Sequence, residues 1–148
     1  MFTAFLSLAL VGCEQRRPAE VREFPVGFQG LAVIVWEVSG YPPIPTVDSK
    51  LVERFPTDGI IFTSSKQQFG WAHDEEYFVD STGHRLASKP EGAFGSCGTM
   101  TQDGHTMTFE TCFVGTNQSD IRDKVDEAFR RLYAAPNKSR GRVKTLAE

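Results

Sequence analysis

The 148-residue chain opens on an apolar stretch, Phe2-Thr-Ala-Phe-Leu-Ser-Leu-Ala-Leu-Val11, which carries no charge and runs into Gly12-Cys13. It is too short to cross a bilayer, which takes about 20 apolar residues, and it has the length of a signal-peptide core. Charge then rises abruptly at Glu14, Arg16, Arg17, Glu20, Arg22 and Glu23, with Pro18 and Pro25 nearby. Residues 13–25 therefore read as a flexible tether. The next apolar run, Leu31-Ala-Val-Ile-Val-Trp-Glu-Val38, does not alternate. Its β-branched and aromatic content predicts a central strand covered on both faces. Tyr41-Pro-Pro-Ile-Pro45 breaks it, because proline lacks the donor a ladder needs.

Shorter segments follow. Lys50–Phe55 alternates weakly as a strand, Pro56-Thr-Asp-Gly59 is turn chemistry, and Ile60–Thr63 reads as the return strand. Residues 64–75 are a loop, Glu76–Asp80 is a strand, and His84–Ala87 is its short partner across the Ser81-Thr-Gly83 turn. Ala93–Thr101 and His105–Val114 flank Asp103-Gly104, a hairpin signal. After Gly115 the period changes: Ile121, Val125, Ala128, Phe129, Leu132 and Tyr133 form one apolar stripe, predicting an amphipathic helix over 119–134. Ser119 or Asn117 can cap it, and Pro136 stops it. Residues 136–148 are expected to be a disordered basic tail. For residues 26–135 the sum is a single β-rich domain, a small antiparallel β-sandwich with one C-terminal helix.

The junction Leu10-Val-Gly-Cys13 resembles the lipobox of bacterial lipoprotein precursors. That resemblance implies cleavage after residue 12, lipidation of Cys13, and a mature protein held to a membrane outside the cytoplasm. Several acyl chains on one sulfur hold firmly, whereas one alone is marginal. Glu14 stands where an Asp often retains such proteins at the inner membrane, so the resemblance leans to the outer membrane, facing the periplasm. With Cys13 set aside, Cys97 and Cys112 remain as an even pair in a compartment that permits a disulfide. Register sets a condition. A two-residue turn at Asp103-Gly104 pairs 97 with 110 and leaves Cys112 diagonal, so a bridge predicts a longer loop or a bulge.

Charge is unevenly spread. The net is −3, but residues 137–148 carry +3 and residues 13–136 carry −6. An acidic body argues against nucleic acid as a partner. Gly27-Phe-Gln-Gly30, the Val/Ile/Trp strand, the proline break, Phe55-Pro-Thr-Asp-Gly-Ile-Ile-Phe-Thr63 and Tyr77-Phe-Val-Asp80 together resemble an uncharacterised domain family of bacterial lipoproteins. The resemblance spans Gly27 to Gly83 and implies a fold, not an activity. The strand order also looks like transthyretin-type sandwich modules, by analogy.

No catalytic signature emerges. His73-Asp-Glu-Glu76 is the densest polar cluster, but adjacent carboxylates on an extended chain cannot converge on one cation, so no metal or other cofactor is expected. Cys97 with His84 or His105 could pair nucleophile and base, in competition with the disulfide. Gly92, Gly95 and Gly98 lack the Lys-Ser/Thr of a phosphate loop. Trp36 reads as core. Tyr41, Phe69, Trp71 and His73 sit in loops, where exposed aromatics can mark binding. Two functions follow. One is a membrane-anchored module that binds an envelope protein, peptide or glycan, with loops 39–48 and 64–75 together presenting Tyr41 and Trp71. The other is a small tethered hydrolase, with His73 or His84 meeting acidic residues in a cleft.

Overall fold

The structure, a computed structural model, describes residues 16–91, 95–115 and 121–134. The lipobox, the signal segment, the expected helix caps and the 136–148 tail lie outside the described residues. The elements are β1 (Glu20–Pro25), β2 (Gly30–Trp36), β3 (Thr46–Val47), β4 (Lys50–Arg54), β5 (Ile60–Phe62), β6 (Glu75–Val79), β7 (Gly95–Gln102), β8 (His105–Val114) and α1 (Ile121–Ala134). They form two four-stranded sheets, ordered β3-β4-β1-β6 and β5-β2-β8-β7. Among the described residues the protein is mainly β with one C-terminal helix, as the pattern predicts.

β2 is buried along its whole length. Side chains alternate across a strand, so one row, Ala32, Ile34 and Trp36, faces the first sheet together with Phe24, Leu51 and Phe55. The other row, Leu31, Val33 and Val35, packs on Val125, Ala128 and Phe129 of α1. The helix stripe meets the outer face of β2, which explains why β2 shows no alternation. Ile121 and Tyr133 lie at the stripe's margins, 51% and 38% exposed.

Pairing departs from a purely antiparallel sandwich. β1 runs parallel to both β4 and β6, and β5 runs parallel to β2. Ile60–Phe62 is a strand, but it does not return along β4. The Pro56–Gly59 turn instead carries the chain from the first sheet into the second. Its geometry explains the motif. The Gly59 amide donates to the Pro56 carbonyl at 2.9 Å, and Asp58 Oδ1 accepts from the Ile60 amide at 3.1 Å. Gly59 has φ +72°, and a Cβ there would meet the Phe28 ring at 2.8 Å. Two separate pieces of the family-like pattern, Gly27-Phe28 and Asp58-Gly59, thus touch each other, and both serve the fold.

The largest correction concerns the N-terminal segment. Glu20–Pro25 is no tether but the inner strand β1 of the first sheet, and Glu20, Val21, Arg22, Glu23 and Phe24 are all buried. The link to the body starts earlier still. Arg16 bridges to Trp71, and the Arg17 amide donates to the Trp71 carbonyl at 3.3 Å.

The hairpin takes its two-residue form. Gln102 pairs with His105, and Asp103 and Gly104 have φ of 52° and 76°. Cys97 therefore pairs with Glu110, while Cys112 pairs with Gly95. Diagonal neighbours in a sheet lie roughly 7–8 Å apart, near or beyond the reach of a disulfide. Both thiols are free, Cys97 exposed and Cys112 buried. Burial pushes the Cys112 thiol up to about 12, so it stays neutral.

Candidate functional site

The space between the sheets divides into two ends. At one end Phe24 stacks on Phe55 at 4.7 Å and on Phe28 at 5.5 Å, with Phe78 and Val114 against them. At the other end the same strands bury charge. Arg22 sits two residues before Phe24 and so faces the same interior. Parallel register places Glu53 of β4 on one side of it and Glu76 of β6 on the other. Glu20 lies one pleat back on β1, and Glu110 reaches across from β8.

The guanidinium of Arg22 donates to Glu53 Oε2 at 3.1 Å, Glu20 Oε2 at 2.7 Å and Glu110 Oε1 at 2.6 Å, with Glu76 at 3.7 Å. Burial alone would lower the Arg22 pKa, but the carboxylates around it, Glu53 foremost, hold it above its ordinary value. Four carboxyls share Arg22, and Arg17 adds a second cation beside Glu20 alone of the four, so the carboxyls still outnumber the cations in a desolvated space. Burial pushes Glu53 up to about 8 and Glu20 up to about 7, against the pull of Arg22, and raises Glu76 as well. Protons therefore supply part of the missing positive charge. Glu53 Oε1 and Trp36 Nε1 are buried with no hydrogen-bond partner among the described residues. A neutral carboxyl tolerates such a lone oxygen far better than a carboxylate does.

A second guanidinium guards the outer side. Arg17 forks onto Asp74, Nη1 to Oδ1 at 2.9 Å and Nη2 to Oδ2 at 2.5 Å, and lies 3.1 Å from Glu20. Burial would raise the Asp74 carboxyl, but hydrogen bonds from Arg17 and the Glu20 amide hold it below the usual range. On the outer face of β1, Glu23 accepts from Arg54 at 2.7 Å and Arg85 at 2.9 Å.

The ionic end opens into a cleft of about 270 Å³, lined by Arg17, Glu20, Arg22, Asp74 and Glu110, by Gln67–Gly70, and by Gly95–Cys97. Gln67 donates to Glu110 Oε2 at 3.2 Å. Phe69, 62% exposed, stands on its wall. A shallower cleft of about 410 Å³ lies beyond Arg17, between Arg16, Ala19, Trp71 and His73. Arg17 lines both.

Of the four binding candidates, Phe69, Trp71 and His73 thus border the two clefts. Tyr41 lines neither and packs on Phe62 at 5.1 Å. The two loops do meet, through the Ser64 amide to the Pro42 carbonyl at 3.4 Å and the Ile44 amide to Ser65 Oγ at 2.9 Å, while Tyr41 packs away on Phe62. His84 belongs to an exposed turn that Asp80 organises by accepting from the amides of Thr82 and His84. Among the described residues no group of three or more His, Cys, Asp or Glu side chains is placed to hold a metal ion. No described helix is long and apolar enough to cross a membrane.

Sequence reasoning passed over Glu20, Arg22, Glu53 and Glu110. The available signal was the two-residue period of Glu20-x-Arg22-x-Phe24, masked by charges that normally mark solvent.

A model of a family of unknown function, DUF6843, matches residues 18–123, from just before β1 into α1. The chain belongs to that family. In fold it is similar to a crystal structure described as "Putative Lipoprotein from Bacillus anthracis", with a TM-score of 0.69 and 21% identity over 80% of this chain and 96% of that one. No curated protein matches. The DUF6843 match includes Glu20, Arg22, Glu53, Glu76 and Glu110, so the buried charge cluster lies inside the family's domain, with Arg17 one residue before its start.

Proposed function

We propose that this DUF6843 chain is a binding module of the cell envelope, lipidated at Cys13, whose ligand enters the cleft at the ionic end of the sandwich. The observation that carries the binding reading is the opening itself: a buried charge cluster reaches solvent in a cleft walled by the exposed Phe69. Glu20 and Glu110 are both held by Arg22. A hydrolase would need one of them free to take a proton from water, so binding fits the geometry better than catalysis. The lipobox-like Leu10-Val-Gly-Cys13 supports the anchor, and the likeness to a protein described as a lipoprotein agrees with it. Glu14 favours the outer membrane over the inner.

Palmitate labelling of the full chain in a bacterial host tests the anchor. Label in the membrane fraction, lost together with membrane association in Cys13→Ala, is the expected result. An unlabelled wild-type chain in the soluble fraction overturns it.

A further inference from the structure

Four strands form the sheet edges, and three of them are guarded. β3 and β5 are only two and three residues long. β6 carries Glu75 and Glu76 and is partly covered by residues 84–86, with the Leu86 amide donating to the Phe78 carbonyl at 2.8 Å. β7 is different. It has eight residues, Gly-Ser-Cys-Gly-Thr-Met-Thr-Gln, with no charge and no proline, and among the described residues it pairs only with β8. Long uncharged edges invite another strand, which is why proteins usually shorten, charge or cover them.

The N-terminal end of this edge lies in the cleft, where Gly95, Ser96 and Cys97 form one wall. Cys97 pairs with Glu110, so both share the interior face. A strand added outside β7 would put the residue opposite Cys97 on that face too, directed at the cleft. The charge there is lopsided. Glu20, Asp74 and Glu110 line the cleft against Arg17 and Arg22, a formal excess of one negative charge, and Glu53 and Glu76 behind them draw on the same Arg22. β7 has no basic residue of its own, so a second copy pairing edge to edge would leave that excess unmet.

We propose that β7 is a docking edge for an extended peptide of another protein, which adds to the sheet as a strand and lays a lysine or arginine side chain into the cleft beside Glu20 and Glu110. Backbone hydrogen bonds supply affinity and the cationic side chain supplies specificity, as in other strand-addition complexes. The idea rests on the binding-module reading above and names its ligand class.

The test uses the full chain in detergent and a fluorescent seven-residue peptide of alternating threonine and valine with lysine at its centre. Expected are binding by anisotropy at least about tenfold tighter than for the glutamine-centred peptide, loss of binding when alternate peptide nitrogens are methylated, and slowed hydrogen exchange at the β7 amides. Equal affinity for the lysine and glutamine peptides overturns the proposal, as does undiminished binding of the methylated peptide. Dimerisation that protects the β7 amides without peptide also overturns it, in favour of a second copy. Binding with no protection of β7 removes the docking edge and leaves the module reading intact. Because the peptides vary and the protein does not, misfolding cannot mimic any of these results.

Discussion

The two ends of the sandwich interior are built by the same strands and are buried to a similar depth, yet they are held together by different physics. β1 contributes Arg22 to one end and Phe24 to the other, 6% and 0% exposed. At the apolar end each ring gains by leaving water, and its neighbours need only fit. At the ionic end every group loses hydration, and stability comes back only if charges and protons balance. The apolar end can close completely. The ionic end keeps an opening, and that opening is where recognition can occur. Two adjacent inward positions on one strand thus divide the labour between holding the fold and meeting a partner.

Removing the centre of each end gives the largest effects. Arg22→Met should cost about 3–5 kcal/mol at neutral pH, because it strands several buried carboxyls. Phe24→Ala should cost about 3–5 kcal/mol through lost transfer energy and a cavity. pH separates the two in urea unfolding. The Arg22→Met loss should shrink between pH 8.5 and 5.5, as the stranded carboxyls take up protons, while the Phe24→Ala loss should stay constant. A pH-independent Arg22→Met loss would mean that packing, not charge, governs that end.

A smaller effect follows from the raised carboxyls. Glu53 and Glu20 titrate near 8 and 7 in the folded state, above the ordinary 4.5. The folded protein therefore holds protons that the unfolded chain has released. This contribution is fully present below about pH 4.5 and is lost as pH rises through 7 and 8. The slope is about 1.4 kcal/mol per pH unit for each proton held. Glu53→Gln keeps the shape without the titration. Its stability relative to wild type should rise with pH up to about 8 and then level off. Parallel stability curves from pH 5 to 9 would refute the raised Glu53.

The smallest effect lies outside both ends. Arg131 pairs with Asp58 at 2.6 Å and with Glu127, all in solvent. Arg131→Ala should cost under about 1 kcal/mol, and the cost should fade in high salt. A salt-insensitive loss would place that pair with the buried network instead.

Much of the fold was legible in the residues. The continuous apolarity of residues 31–36 reported a strand covered twice, and the 3.6-residue period of 121–132 reported α1. The turn at 56–59 was readable as well, although its destination was not. The candidate site was legible only at its rim, in Phe69, Trp71 and His73. Its interior was hidden because burial of Glu20, Arg22 and Glu53 contradicts their usual preference for water and becomes tolerable only once their partners arrive.

By itself, then, the sequence determined what depends on neighbours along the chain: where φ must be positive at Gly59 and Gly104, where the period is two or 3.6, and where a lipobox-like junction stands. Only the tertiary structure decided which strands pair, that Cys97 and Cys112 stay free, and that a charged segment becomes an inner strand. Those outcomes hinge on contacts such as Arg22 with Glu53 and Glu110, 31 and 88 residues away. Proton balance and register act through space, and no local pattern encodes them.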